Sequence, residues 1–205
     1  KSKVEYFPVF VFIGLTIWTL FNKTLVGSVR LVSANRDTVT KVYIPKFILL
    51  ITKMCVNSIK FFISFSLVII CMLIYQVPVS WNLLYFPVIF VVIWIFTFGI
   101  STLFMHLGVF IQDLANLTNI ALRLVFYMSG IFFAIETRVP APYNDILIKF
   151  NPIAACICEC RNIFLYKTPI SFGLMGVWLV IGLILAYIGI NIIYKYENTY
   201  VKVMK

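Results

Sequence analysis

The chain contains few of the charged residues and histidines on which many catalytic sites depend. Only 12% of its 205 residues are charged, seven are Asp or Glu, and His106 is the one histidine. A single histidine excludes the HExxH metalloprotease motif, and no nucleophile-elbow sequence surrounds His106 to favour a Ser–His hydrolase. The sequence also lacks the GxxxxGK[ST] phosphate loop. We therefore expect no catalytic residues, and no ATP site of that type, in this chain.

Acidic residues are absent from the centres of the long apolar runs. Carriers that are coupled to protons or ions generally place ionisable side chains near the middle of the membrane. We therefore expect the energy for any transport to come from outside this chain.

The five cysteines do not form a spacing that demands disulfides. Cys156, Cys158 and Cys160 alternate along the sequence, which on a helix spreads the thiols around the axis. No histidine lies nearby to complete a set of four ligands, and zinc motifs usually have two residues between their cysteines. We interpret the three as small buried apolar residues and expect no metal site.

Long hydrophobic runs dominate what is present. The composition is 62% hydrophobic, with a mean hydropathy of +1.03, which is more apolar surface than a soluble domain of this size can bury. We predict one all-α integral membrane domain over residues 1–205. Its predicted membrane spans are residues 4–25, 47–75, 83–105, 114–133 and 170–194. The net charge of +10 lies mostly beside these runs, where it suits orientation and anionic lipids better than nucleic acid.

Two weaker features leave alternatives open. Gly182 and Ala186 are four residues apart in the last run, so they either permit a close helix contact or lie on a plain lipid-facing helix.

Aromatic residues make up 17% of the chain, and we expect most of them in the core or against lipid. A subset can line a sugar-conducting path, because flat rings stack on the apolar faces of sugars, but the sequence does not identify that subset.

Residues 29–53 form the longest polar and basic interval between two apolar runs. The interval has a single acid, Asp37, and the following basic residues: Arg30, Arg36, Lys41, Lys46 and Lys53. Positive loops beside a span stay cytoplasmic. Ser33, Asn35 and Asp37 are residue types that cap or open a helix, which predicts a short surface helix. Pro45 then favours a break and a new helix start. An ordinary basic loop and a docking element both fit this pattern.

Residues 134–167 are too apolar for a free loop and too short in their segments to cross a bilayer. Asn151 is a helix-capping residue, and Pro152 suits the first helical position. A helix over residues 152–165 would be about 21 Å long, which is less than the hydrocarbon layer of about 30 Å. We therefore predict two short re-entrant helices on the outer side, packed against protein.

Four places in the sequence together resemble the permease subunit of ABC-type exporters of bacterial cell-surface polysaccharides. This family exports teichoic acids, O-antigens and capsules. The matching residues are Ser33, Asn35 and residues 41–46, Asp113, residues 127–133, and Asn151–Pro152 with Glu159 and Arg161. In one departure, Gln112 stands where an arginine commonly precedes the aspartate, which puts a charge-pair role for Asp113 in doubt.

The resemblance implies a permease fold of six spans after an amphipathic interfacial helix, in a multi-pass protein of the bacterial cytoplasmic (inner) membrane. Five spans are predicted here, and residue 1 is Lys, so we expect an N-terminal segment to be missing. The resemblance also implies a homodimer that works with two copies of a separate ATP-binding cassette ATPase subunit. That partner would bind ATP and Mg, whereas this chain would carry no cofactor.

The resemblance assigns candidate residues to each end of the chain's membrane domain. The loop over residues 29–53 would contain the coupling helix that docks on the ATPase, and the outer re-entrant pair would shape the exit. The ATPase-coupling candidates are Ser33, Asn35, Arg36, Asp37, Lys41, Tyr43, Pro45 and Lys46. The candidates of the outer region are Ser129, Gly130, Asn151, Pro152, Glu159 and Arg161.

The expected cargo is a polyprenyl-pyrophosphate-linked glycan that is passed outward through a channel between two permeases. Arg36, Lys41 and Lys46 are candidates for attracting its pyrophosphate, or anionic membrane lipid, at the inner mouth, because cationic groups suit phosphate. Their alternative role is to set orientation only.

Three other functions remain open at this point. One is an ABC exporter of drugs or lipids with a related topology, and another is a structural membrane subunit without a conducting path. The third is a membrane enzyme acting on lipid-linked sugars, which would need a catalytic acid or base from Asp113, Glu136 or Asp145. The sequence does not identify the exported glycan or the type of envelope.

Overall fold

The computed structural model describes residues 6–37 and 45–203, and these residues contain helices and turns but no strand. The predicted all-α fold class is confirmed. In chain order the helices are α1 (Phe7–Val29), α2 (Leu31–Ala34), α3 (Lys46–Ile74), α4 (Phe86–Phe110), α5 (Leu114–Met128), α6 (Ile135–Arg138), α7 (Tyr143–Phe150), α8 (Pro152–Arg161) and α9 (Phe172–Val203). A short 3-10 helix, Trp81–Tyr85, leads directly into α4, and a π-helical turn, Asn162–Tyr166, follows α8.

Four helical stretches within the described residues are long and apolar enough to cross a membrane. They are Phe7–Val29, Lys46–Ile74, Trp81–Phe110 and Phe172–Glu197. The fourth of the five expected spans, residues 114–133, contains the 15-residue helix α5, which is about 22 Å long. It stops where Gly130 adopts a φ of 62°, a backbone conformation that glycine reaches without strain. The count of five spans therefore stays a prediction.

The basic interval over residues 29–53 is more helical than we expected. Helix α1 continues to Val29, and α3 begins at Lys46, so both ends of the expected loop belong to long helices. The first turns of α3 are ordered because Lys46, Leu50 and Met54 are buried there. Pro45 has extended backbone angles, with φ −56° and ψ 122°, and therefore marks the helix start that its residue type predicts.

Helix α1 lies at the centre of the bundle, where it packs against α3, α4, α5 and α8. Phe10, Ile13 and Ile17 on α1 are at most 1% exposed. An aromatic cluster extends the core toward the end of α8: the Phe65 ring lies 4.4 Å from that of Phe86 and 5.2 Å from that of Phe164. Because of its central position, α1 borders several of the groups of polar residues described below.

Helices α4 and α9 form the most extensive helix pair, and their small residues let the two backbones meet. A Cβ added at Gly99 would lie 2.6 Å from the carbonyl oxygen of Gly182 and 2.8 Å from the nitrogen of Ala186. Gly182 and Ala186 therefore form a close helix contact, as their spacing allowed. The alternative, a plain lipid-facing helix at these positions, is wrong.

Candidate functional site

The described coupling candidates before Thr38 lie around α2. The hydroxyl of Ser33 donates a hydrogen bond to the carbonyl oxygen of Arg30 at 3.1 Å, and Asn35 Nδ2 donates to that of Leu31 at 2.7 Å. These side chains therefore bond backward along the chain, and Asn35 stands at the end of α2. The sequence predicts that these residues cap or open a helix; Asn35 is the C-cap of α2, whereas Ser33 lies inside that helix.

The rest of the coupling candidates lie within residues 38–44, which are outside the described part of the chain, or directly on either side of them. Arg36 and Asp37 are exposed directly after α2, where a docking partner can reach them. Lys41 and Tyr43 lie outside the described residues, so their predicted roles stay predictions. Pro45 and Lys46 open α3.

Lys46 forms an ion pair with the last helix. Its Nζ lies 2.7 Å from Glu197 Oε1, and the two side chains are only 3% and 9% exposed. A buried ammonium in this position needs a carboxylate partner, because an unpaired buried charge is costly. The proposed role of Lys46 in attracting pyrophosphate stays a prediction, but in this conformation its ammonium group is bound to Glu197.

Further contacts connect the same ends of α3, α4 and α9. His106 Nδ1 lies 2.7 Å from the hydroxyl of Tyr200, and the rings of Phe47 and Tyr194 are 5.6 Å apart. We call Lys46, Phe47, His106, Glu197 and Tyr200 the inner clamp. His106 thus has a structural partner, and the inner clamp joins three long helices at the end of the predicted coupling segment.

At the other end of the bundle, Arg161 connects three parts of the chain. Its guanidinium donates to the carbonyl oxygens of Phe10, Gly130 and Ile131 at 2.8–3.3 Å. It also lies 3.3 Å from the centre of the Phe10 ring, a favourable cation–π position. The side chain is 5% exposed. Arg161 therefore joins α1, the turn after α5 and the end of α8.

The start of α8 has the cap that its sequence predicts. Asn151 Oδ1 accepts hydrogen bonds from the backbone nitrogens of Ile153 and Ala154, and Pro152 is the first helical residue. Asn151 Nδ2 also donates to the hydroxyl of Ser129 at 3.1 Å. Glu159 accepts a hydrogen bond from the Ser171 nitrogen at 3.1 Å, just before α9. The six outer candidates thus form one connected region, which we call the outer cap: Ser129, Gly130, Asn151, Pro152, Glu159 and Arg161.

A polar groove between α1 and α5 was missed by the sequence analysis. It has a volume of about 830 Å³, and the polar and aromatic residues that line it are Trp18, Asn22, Asn116, Asn119, Arg123, Phe126 and Tyr127. We call it the α1/α5 groove. The spacing of Asn116, Asn119, Arg123 and Tyr127 places all four on one face of α5. That periodicity was the available signal in the sequence.

The chemistry of the α1/α5 groove suits a polyhydroxylated ligand. Amide and guanidinium groups donate hydrogen bonds to hydroxyl oxygens, and the amide oxygens accept them. The aromatic rings can stack on the apolar faces of sugars, and Trp18 is held by an edge contact with Phe126 at 5.3 Å. The aromatic residues of the groove are therefore candidates for the subset that the sequence could not identify.

The three acids considered for catalysis are not gathered at one site. Asp113 precedes α5 and accepts a hydrogen bond from Asn116 Nδ2 at 2.7 Å. Glu136 follows the other end of α5, where it accepts a hydrogen bond from the Cys158 thiol at 3.0 Å. Asp145 is exposed on α7. Helix α5 thus separates Asp113 from the other two acids.

Two of the three cysteines of α8 are packed as small buried residues, whereas Cys158 is only partly buried. Cys156 and Cys160 are fully buried, and burial raises the pKa of the Cys156 thiol to about 12, which opposes the thiolate that a metal needs. Across residues 6–37 and 45–203, no group of three His, Cys, Asp or Glu side chains is placed to hold a metal ion.

Comparison with known proteins gives similarity over the whole chain. An O-antigen export system permease of Klebsiella pneumoniae is 24% identical over 205 residues, which cover 100% of this chain and 78% of that protein. An O-antigen export system permease of Myxococcus xanthus is 24% identical over 177 residues, or 86% of this chain and 68% of that protein. No protein-family model matches. The predicted resemblance to permeases of ABC-type polysaccharide exporters is confirmed, and with it the multi-pass, all-α membrane fold.

Proposed function

We propose that the chain is the transmembrane subunit of an ATP-driven exporter that moves a polyprenyl-pyrophosphate-linked polysaccharide outward across the bacterial cytoplasmic membrane. The similarity to O-antigen export permeases over all 205 residues supports the transport of a polysaccharide. The structural observation that supports the proposal is the α1/α5 groove, which is lined by amide groups, a guanidinium group and aromatic rings. The cargo is an O-antigen or another surface glycan, such as a teichoic acid or a capsule.

The cargo path follows the α1/α5 groove. Asn119, Arg123 and Tyr127 succeed one another along α5 at intervals of four residues, so a sugar chain moving along the helix meets polar and aromatic groups in turn. The groove is open on one side, and a second copy of the chain in a homodimer would supply the opposite wall. Hydrogen bonds that are exchanged one by one let a polar chain pass through an apolar layer without losing all of its partners.

The energy comes from two copies of a separate ATPase subunit, which would bind ATP and Mg. The coupling segment, from Ser33 through Arg36 and Asp37 to Pro45 and Lys46, is the docking element on this chain. The inner clamp supports this role, because a displacement of Lys46 at the start of α3 would pull on Glu197 of α9. Of the pyrophosphate candidates, Arg36 is exposed and Lys41 keeps its sequence-based assignment.

Deletion of the gene in its host, followed by complementation, tests this function. We expect surface glycan to disappear and lipid-linked glycan to accumulate inside the cell, because the chain would be made but not moved. Complementation with the full-length protein should reverse both effects. Unchanged surface glycan in the deletion strain would reject the proposal and favour an exporter of lipids or drugs. Loss of the lipid-linked precursor itself would favour an enzyme acting on lipid-linked sugars.

A further inference from the structure

A second polar groove lies on a different side of α1, between α1 and α3. It is a small space of about 40 Å³ whose lining includes Lys23, Lys60, Thr16, Thr19, Asn57 and Ser64. We call it the α1/α3 lysine groove. Its volume leaves room for a small ionic group but not for a sugar chain, so it is distinct in size and position from the α1/α5 groove.

The position of the α1/α3 lysine groove along the bundle follows from two contacts between the helices. Asn57 Nδ2 donates to the Thr24 hydroxyl at 3.0 Å. A Cβ on Gly27 would lie 3.0 Å from Lys53 Cε. The helices are therefore antiparallel, and Lys60 lies seven residues, or about 10 Å of helix, further from the basic interval than Lys53. Lys23 and Lys60 thus both line this groove one to two helical turns inside the end of the bundle that we predict to be cytoplasmic.

The groove combines two positive charges with no compensating carboxylate. Its lining contains no acid, and no ion pair with Lys23 or Lys60 occurs among the residues for which the structure gives side chains. The hydroxyls of Thr16 and Thr19 donate to carbonyl oxygens of their own helix at 2.7 Å, which leaves the ammonium groups as the principal donors. Lys23 and Lys60 are exposed and line one space, so an anion in that space would be attracted by both positive charges.

We propose that the α1/α3 lysine groove binds the phosphate group of an anionic lipid. Phosphate is the anion that membranes present at this depth, where headgroups meet the hydrocarbon layer. Lysine binds it as a compact point charge with several donors, and the aliphatic stems of Lys23 and Lys60 can follow the apolar helix surface while their ends reach the headgroup. The phosphate can come from a bilayer phospholipid or from a prenyl pyrophosphate, because both present the same charged oxygens.

Lipid retention by the purified full-length protein tests the proposal. Native mass spectrometry in mild detergent compares binding of phosphatidylglycerol, which is anionic, with phosphatidylcholine, which is zwitterionic. A separate titration uses farnesyl pyrophosphate as a probe for the prenyl source. The Lys23→Gln/Lys60→Gln variant should retain phosphatidylglycerol or farnesyl pyrophosphate at least about tenfold less than the wild type, since each lysine beside a phosphate surface contributes roughly a fivefold factor.

Two further variants make the result specific to the groove. Lys23→Arg/Lys60→Arg keeps both charges and should restore binding. Arg138→Gln/Lys149→Gln removes the same number of charges from exposed positions near the other end of the bundle and should leave binding unchanged. A loss confined to phosphatidylglycerol identifies a phospholipid site, and a loss confined to farnesyl pyrophosphate identifies a prenyl-pyrophosphate site; either supports the proposal.

Wild-type retention of both probes by Lys23→Gln/Lys60→Gln would overturn the proposal, as would an equal loss in the Arg138→Gln/Lys149→Gln control. The measurement uses purified protein and requires no export, so its outcome is independent of whether the proposed function holds.

Discussion

Lys46 Nζ lies 2.7 Å from Glu197 Oε1 across 151 residues of sequence. The pair connects the first residue of α3 with the last helix of the chain, and both side chains are almost fully buried. Lys46 is also the last residue of the predicted ATPase-coupling segment. The ion pair is therefore one described contact through which movement of that segment can reach α9.

Breaking this ion pair on one side should destabilise the protein strongly. Glu197→Gln leaves a buried ammonium group without its carboxylate, which typically costs about 3–5 kcal/mol. Replacing both partners, in Lys46→Met/Glu197→Met, should cost far less, because no charge remains buried. Thermal unfolding of the detergent-purified protein measures both variants, with Lys195→Gln, an exposed neighbour, as the control. If Glu197→Gln unfolds at the wild-type temperature, the ion pair does not hold the inner clamp together.

Arg161 should be essential for the outer cap. Arg161→Met removes the donor that serves three backbone carbonyl groups and should lower the free energy of unfolding by about 2–4 kcal/mol. Arg161→Lys keeps the charge but lacks the planar fork, so it should recover only part of the loss. Thermal unfolding is the measurement, and Arg138→Met, at an exposed position on α6, should stay within about 0.5 kcal/mol of the wild type. Equal stabilities of Arg161→Met and Arg138→Met would contradict this role.

Because α4 and α9 pack closely, we expect alanine to have different effects on stability at two glycines of α9. A Cβ at Gly182 would lie 2.9 Å from the Phe96 backbone nitrogen, whereas a Cβ at Gly176 would meet no atom within 4 Å. Gly182→Ala should therefore destabilise the protein by about 1–3 kcal/mol through overpacking. Gly176→Ala should be neutral or slightly stabilising, because alanine favours a helix. Similar unfolding temperatures for the two variants would show that the helices do not meet at Gly182.

The α1/α5 groove predicts a loss of export without a loss of folding. Asn119→Leu and Arg123→Leu replace exposed polar side chains, so assembly should be retained while the cargo loses hydrogen-bond partners. We expect the amount of surface glycan to fall at least about fivefold, since each lost hydrogen bond to the cargo contributes about 1 kcal/mol. Surface labelling measures export, and membrane abundance measures assembly. Leu124→Ala, an exposed apolar position on the same helix, is the matched control. Normal export by both polar variants would remove the groove from the path.

Local signals in the sequence predicted the local features of this fold. Asn151 and Pro152 act within a few residues of their own positions, so their residue types were sufficient to place the start of α8. The apolar runs located the long helices because hydropathy depends on composition over about 20 residues. Gly130 also carried a signal for the early end of α5, but a glycine in an apolar run does not by itself require a positive φ.

The partners of charged residues could not be predicted in the same way. In the sequence, Lys46 is one of several basic residues in the interval over residues 29–53. Its partner Glu197 is far away along the chain, so a local sequence pattern does not predict their ion pair. Arg161 was selected as an outer residue, yet its carbonyl partners on α1 depend on how the helices pack. The face of α5 that carries Asn119 and Arg123 is periodic in sequence, but only the fold shows that it borders α1.

Affinity purification of the full-length protein from native membranes in mild detergent, with mass spectrometry of the bound proteins, identifies what this chain works with. We expect a stoichiometric partner that carries the GxxxxGK[ST] motif, and its recovery should fall when the exposed Arg36 and Asp37 are both replaced by Ala. If repeated cross-linked preparations contain no such ATPase, the chain is not the subunit of an ATP-driven exporter, because the coupling segment would then have nothing to dock on.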